Sequence, residues 1–130
     1  MTTSVLNALE AELRAILVPY EDELETAEVY SMEVLRRPGA KAHDWFAGVQ
    51  AAGDRIKFNF LPMHSHPGLL EGLSPALLLR RIGASVFKLA PGDDALLEEL
   101  ELLVARGFEL YMSARRPANV TERWPGRGGP

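Results

Sequence analysis

Residues 55–89, RIKFNFLPMHSHPGLLEGLSPALLLRRIGASVFKL, contain the pattern that decides the fold. At the start of this stretch Ile56, Phe58 and Phe60 alternate with polar residues. Alternation of aromatic or β-branched residues with polar ones is typical of a half-buried strand. We therefore expect a central strand over residues 55–63, with these three side chains in the core.

The second half of the stretch predicts a short helix followed by another strand. Ser74 caps unpaired N–H groups, and Pro75 suits the first helical position. The helix is expected to end near Gly83, since glycine often follows a helix C-terminus. Residues 84–89 then read as a buried strand, which a Pro-Gly pair ends.

The chain before the central strand supplies one helix and two strands. Leucines recur three and four residues apart over residues 4–18, which predicts an amphipathic helix. Residues 27–36 and 43–52 read as single strands. Because the turns at 37–40 and 53–54 are short, these strands and the central one are expected to form an antiparallel meander.

The chain after residue 92 predicts a second long helix that ends before Arg116. Gly107 lies within it and is expected to cost up to about 1 kcal/mol relative to alanine. The whole pattern predicts an α+β fold, with about four antiparallel strands covered by the N- and C-terminal helices. Residues 1–116 form this single domain, and residues 117–130 are expected to be a flexible basic tail rich in Gly and Pro.

The composition indicates a soluble globular protein of one domain. The chain has 130 residues, of which 47% are hydrophobic and 25% charged. It contains no cysteine, which excludes disulfides and thiolate metal sites and fits a cytoplasmic location. No apolar run approaches the roughly 20 residues that span a bilayer, so a membrane partner is not expected.

The charge distribution argues against a nucleic-acid partner. The net charge of the chain is −4, and residues 115–130 carry a net +3, so residues 1–114 carry −7. Phosphate contact needs a basic face, which this acidic body does not provide. The acidic run at 21–28 is interpreted as a solvated surface. The alternative is a surface for hard cations such as iron, manganese or calcium, although the spacing is not that of an EF-hand.

The residues FNFLPMHSHPGLLEGLSPALLLRRIGASVFKL, together with DALLEEL at 94–100 and ARGFE at 105–109, resemble the YdhG-like family of bacterial domains of unknown function. The resemblance covers roughly residues 25–112. It implies a frataxin-like α+β fold, with helices on one side of an antiparallel sheet, and one branch of the family is described as an intracellular iron chaperone. The family usually has Lys before the residue that corresponds to Ser85, and Ala84 stands there in this chain.

The pair His64 and His66 is the main candidate for chemistry. If the central strand continues past Pro62, both imidazoles point the same way and can share a divalent metal, with His43 or Asp44 as a further ligand. Alternatively, they are turn histidines that bond to backbone, or they bind another ligand. No metal is assigned, and iron or another divalent ion is the cofactor left open.

A pocket at the end of the central strand is the hypothesis for binding. We expect His64, His66, Trp45 and Ser85 to line it, because irregular segments on a rigid sheet often form sites. The helix that starts at Ser74 begins nearby in sequence, and its N–H groups can attract an anion. The expected ligand is a small anionic or polar molecule.

No catalytic residue is predicted. A triad of Ser85, a histidine and Asp44 would lack a nucleophile elbow, and neither a phosphate loop nor a dinucleotide fingerprint is present. The chain is therefore interpreted as a non-catalytic binding or interaction module with an unidentified partner, and a homo-oligomer is left open. The alternatives are a frataxin-like iron chaperone and a small-molecule binder.

Overall fold

The computed structural model describes residues 2–29, 32–40 and 44–114, which form one α+β domain. The predicted tail, residues 117–130, lies outside the described residues. The strands run in chain order across a single antiparallel sheet: β1 (Glu25–Val29), β2 (Met32–Arg36), β3 (Ala47–Ala52), β4 (Arg55–Phe60) and β5 (Val86–Leu89). The helices are α1 (Thr2–Leu17), α2 (Pro62–Ser65), α3 (Pro75–Leu79) and α4 (Leu97–Ala114), with 3₁₀ turns at Val18–Glu23, Pro67–Leu70 and Asp93–Leu96.

The sheet has five strands in the described residues, where the sequence predicted about four. The segment 27–36, predicted as one strand, belongs to the hairpin β1–β2, in which Glu25 pairs with Arg36 and Val29 with Met32. The sequence at 30–31 lacks the Gly, Asn or Asp that marks a two-residue turn, so the reversal was missed. Arg36 Nε lies 3.0 Å from a carboxylate oxygen of Glu25 and adds an ion pair across the hairpin.

The hairpin β3–β4 confirms the predicted turn at 53–54. Its register runs from Ala52 opposite Arg55 to Ala47 opposite Phe60. Gly53 has a φ of 65°, which glycine adopts without steric cost. Both strands are shorter than predicted, since β3 begins at residue 47 rather than 43 and β4 ends at residue 60 rather than 63.

The main core lies between the sheet and the two long helices. Ile56, Phe58 and Phe60 are at most 1% exposed, which confirms the phase predicted for the central strand. Phe46 packs edge-on against Phe60, with ring centroids 5.4 Å apart. The helices contribute buried side chains at helical spacing: Leu9, Leu13, Ile16, Leu17, Leu100, Leu103 and Val104.

A second, smaller cluster lies on the opposite face of the sheet. It contains Val29, Met32, Val34 and Trp45, all buried. These residues can pack there because β2 crosses over β3 at Gly48. A Cβ at Gly48 would lie 2.5 Å from Glu33 O and 2.9 Å from Val34 Cγ1, so only glycine permits this crossing.

The short helix α3 begins at Ser74 as predicted, with Ser74 Oγ accepting from the N–H of Leu77 at 3.2 Å. It ends at Leu79 rather than near Gly83. Beyond it the chain runs beside β5, where the Lys88 N–H donates to Arg80 O and the Ile82 N–H donates to Val86 O. These backbone bonds compete with further helical turns and cover the outer edge of β5. None of the helices in the described part of the chain is long and apolar enough to cross a membrane.

Candidate functional site at the end of the central strand

At its end the central strand donates its last two backbone hydrogen bonds to the segments on either side of it. The Phe60 N–H donates to Ser85 O at 2.7 Å, and the Leu61 N–H donates to Phe46 O at 3.1 Å. The chain then turns into α2, in which the His64 N–H donates to Leu61 O at 2.8 Å. Pro62 suits this helix start because its missing N–H is not needed there. The strand does not continue to the histidines, so the geometry on which a shared metal depended is absent.

A cavity of about 270 Å³ lies beside this strand end. Its lining comes from both ends of the β2–β3 connection, from α2 and the residues next to it, and from the C-terminal turn of α4: Arg37, Asp44, Trp45, Leu61, Pro62, Ser65, His66 and Tyr111. The structure therefore brings together two of the four predicted residues, Trp45 and His66.

The other two predicted residues lie elsewhere. His64 is on the exposed side of α2 and does not line the cavity. Ser85 is half-buried and precedes β5, on the side of β4 away from Trp45. Ser85 and Asp44 therefore flank opposite sides of β4, and the structure does not assemble a serine triad from them.

An ion pair and a tyrosine form the polar wall of the cavity. The Arg37 guanidinium forms an ion pair with Asp44 and lies over the Tyr111 ring, 4.5 Å from its centroid. Arg37 Nη1 also donates to Tyr111 O at 2.7 Å. The Tyr111 hydroxyl accepts from the Arg37 N–H at 2.9 Å and donates to Asp44 O at 3.2 Å. These bonds fix Arg37 across the gap between sheet and helix.

Burial raises the pKa of Tyr111 to about 12, with a further contribution from the Asp44 carboxylate. The hydroxyl is therefore neutral near pH 7 and serves as a donor and acceptor rather than as a base. Its two bonds, to Arg37 and Asp44, hold the end of α4 to both ends of the connection between β2 and β3.

No group of three His, Asp or Glu side chains within residues 2–29, 32–40 and 44–114 is placed to hold a metal ion. His43, named as a further ligand, lies outside the described residues. The predicted anion site at the start of α3 is filled by the chain itself. Glu99 accepts from the Ser74 N–H at 2.6 Å and from the Ser74 hydroxyl at 2.7 Å. The carboxylate of Glu99 therefore occupies the position at this helix start where an external anion was expected to bind.

Sequence reasoning missed Arg37 and Tyr111 as lining residues. Arg37 lies in a segment predicted as a turn, and Tyr111 lies in the predicted last helix, so neither pattern indicates a pocket. One signal was present: a tyrosine near the end of a core-packing helix needs a partner for its hydroxyl when it is buried. The partner lies 74 positions away in the chain, and only the packing of α4 against the sheet identifies it.

Comparisons of the chain with protein-family models, with curated proteins and with solved structures found no match. The resemblance to the YdhG-like family therefore gains no support from them and stays a prediction. Any function assigned to the chain rests on the geometry of its own residues.

Proposed function

We propose that this protein is a binding module that holds a small polar or anionic molecule in the cavity at the end of β4. The observation that supports this proposal is the meeting of Trp45 and His66 with the Arg37–Tyr111 pair around one space of about 270 Å³. An apolar wall with a few convergent polar groups is the usual form of a small-molecule site.

The size of the cavity limits the ligand. Pockets for drug-sized molecules are typically about 300–1,000 Å³, and this cavity is slightly smaller. A metabolite with a single ring or a short chain fits it better than a nucleotide. Trp45, Leu61 and Pro62 would contact the apolar part of such a molecule, since all three line the cavity.

The charges favour a polar or singly charged ligand over a multiply charged one. Arg37 and Asp44 neutralise each other, so the wall offers no net charge for a multiply charged ion. Ser65 is exposed, His66 is half-buried, and both line the cavity. These two side chains supply the donors and acceptors that a ligand would use.

We also infer a frataxin-like arrangement for the fold. Its support is the packing of α1 and α4 against one antiparallel sheet, in the order that the resemblance implies. This arrangement keeps an iron chaperone as the alternative function, and the test of the cavity includes metals for that reason.

The test is a thermal-shift screen of small carboxylates, amino acids, amides and Fe(II), Mn(II) or Ca(II) on the full chain. We expect a polar organic compound to raise the melting temperature. The rise should be lost in His66→Ala and kept in His64→Ala, a matched control since His64 lies two residues away and outside the cavity lining. The proposal fails if both variants respond like the wild type, or if only a metal gives a shift that depends on His66.

A further inference from the structure

Backbone pairing between β2 and β3 is limited to a single pair of residues. The pairing of β2 with β3 is limited to Leu35 opposite Ala47, whereas β3 pairs with β4 over its whole length. Within the described residues, no strand therefore lies against the β2-facing edge of β3 from Val49 to Ala52. An unpaired strand edge inside a sheet is a template for another extended chain.

The backbone of this edge faces away from β4, and Val49 is buried whereas Ala51 is exposed. The Val49 carbonyl accepts from Arg14 Nη2 at 3.3 Å, so it points away from β4, and an added strand would replace the bond from this half-exposed side chain. Backbone groups in an antiparallel strand point alternately to either neighbour, so Ala51 points the same way as Val49. Ala51 is exposed. The N–H and C=O groups of Val49 and Ala51 thus lie along one edge, with Ala51 exposed and the Val49 carbonyl covered by Arg14.

The cause of the gap is the crossing at Gly48. The β1–β2 hairpin passes over the back of β3 there and leaves the plane of the sheet. Helix α1 lies on the other face. The edge of β3 becomes the floor of a groove between them, which we call the β3 groove.

The β3 groove has a volume of about 380 Å³. Small residues of α1, Ala11 and Ala15, form one wall, and Val34 and Leu35 form the other. Val18 lies at the mouth and is 55% exposed. The small side chains leave room for apolar side chains of a second chain.

The rim of the groove is acidic. Glu21 and Glu33 line it and are exposed, and no ion pair of either residue occurs among the described residues. Arg14, the cation of the lining, is already paired with Glu10 at 2.8 Å. A chain that enters the groove therefore meets two carboxylates, while the charge of Arg14 in the lining is already neutralised by Glu10.

We propose that the β3 groove binds an extended segment of a partner protein with alternating apolar and basic residues, which adds a strand along Val49–Ala52. The backbone edge requires an extended chain, the small-residue walls accept its apolar side chains, and Glu21 and Glu33 attract its basic ones. Addition of a strand to a sheet edge is an established way for domains to bind peptides.

The probe is a fluorescent peptide, Val-Lys-Val-Lys-Val-Lys, titrated with the full chain. Two control peptides separate the causes: one has Glu in place of Lys, and the other has N-methyl groups on alternate amides, which removes the bonds that a strand ladder needs. We expect each control peptide to bind at least about tenfold more weakly. The Val49 and Ala51 amides should shift in ¹⁵N NMR spectra when the probe binds.

Two variants test the location. Ala15→Phe fills the groove from an exposed helix position, and Ala105→Phe makes the same change at an exposed position of α4 outside it. We expect the Ala15→Phe variant to bind the probe at least about tenfold more weakly than the wild type. The Ala105→Phe variant should bind the probe like the wild type, and both variants should remain folded. The Glu33→Lys variant should bind the basic probe more weakly than the wild type and the Glu-containing control peptide more tightly.

Several results would overturn the proposal. These are equal binding of the N-methylated peptide, equal binding by Ala15→Phe, and no binding of the probe up to about 1 mM. A dimer that forms with concentration in sedimentation experiments, and that Ala15→Phe abolishes, would assign the groove to a second copy of this chain instead.

Discussion

Gly107 of α4 lies directly against the ring of Phe60 on β4. A Cβ at position 107 would fall inside contact distance of Phe60 Cζ and 2.9 Å from Cε2. The ring has no room to yield, since Phe60 is fully buried and packs against Phe46 and Phe58. The glycine that sequence analysis treated as a weak point of the helix is what lets the helix approach the sheet.

Gly107→Ala should therefore destabilise the protein, although alanine is the better helix former. Overpacking of a core lowers the free energy of unfolding by about 1–3 kcal/mol. The higher helix propensity of alanine raises it by at most about 1 kcal/mol. The measurement is the free energy of unfolding from denaturant titration. A matched control is Gly68→Ala, because a Cβ at Gly68 meets no atom within 4 Å and its backbone is not left-handed.

The same contact predicts coupling between the two positions. In a Phe60→Leu background the tip of the ring is gone, so Gly107→Ala should cost less than in the wild type or become stabilising. An equal cost in both backgrounds would show that the helix is displaced by something other than the ring of Phe60.

Phe60→Ala should lower the free energy of unfolding by about 3–5 kcal/mol. The reason is the loss of a fully buried ring at the centre of the core. Leu79→Ala is the comparison, because Leu79 is 77% exposed and should change stability by no more than about 0.5 kcal/mol. An unchanged denaturant midpoint for Phe60→Ala would mean that the face of β4 is assigned wrongly.

The ion pair of Asp93 with Arg80 predicts a pH dependence of stability. Two bonds from Arg80, at 2.9 and 2.8 Å, hold the pKa of the Asp93 carboxyl below its usual value, and the Ala90 N–H adds to this. A lowered folded-state pKa stabilises the protein above the unfolded value, about 3.9, and this gain is lost as the pH falls through the folded value.

Asp93→Asn should therefore be less stable than the wild type at pH 7, and the difference should shrink below about pH 3.9. Melting temperatures across this range provide the measurement. Asp54→Asn is the control, because the ion pair of Asp54 with Arg55 is largely exposed and contributes little. A difference between wild type and Asp93→Asn that stays constant with pH would assign the effect to packing rather than to charge.

Deletion of residues 117–130 should leave thermal unfolding nearly unchanged. The segment has no apolar period and is dense in Gly and Pro. The check is a melting curve of the shortened chain beside that of the full chain. A clear drop in melting temperature would mean that Trp124 contributes to the folded protein.

Local patterns in the chain were sufficient to predict the central strand and its phase, the two long helices, the cap at Ser74 and the turn at 53–54. Each of these depends on residues within a few positions of one another: alternation in a strand, three-four spacing in a helix, and turn residues with their own backbone preferences. Such local signals need no knowledge of the fold. They failed where a local signal was missing, as at the reversal between β1 and β2, and where contacts with a distant segment ended an element early, as at the end of α3.

The residues of both candidate sites and the roles of two glycines, Gly48 and Gly107, follow from the packing of the folded chain. The cavity joins Arg37 to Tyr111 and Trp45 to His66, and the β3 groove exists because β2 crosses β3 at Gly48. These contacts link residues far apart in the chain, and their geometry depends on how helices and hairpin pack on the sheet. A periodic pattern shows which face a residue occupies, and packing sets which distant residue it meets there.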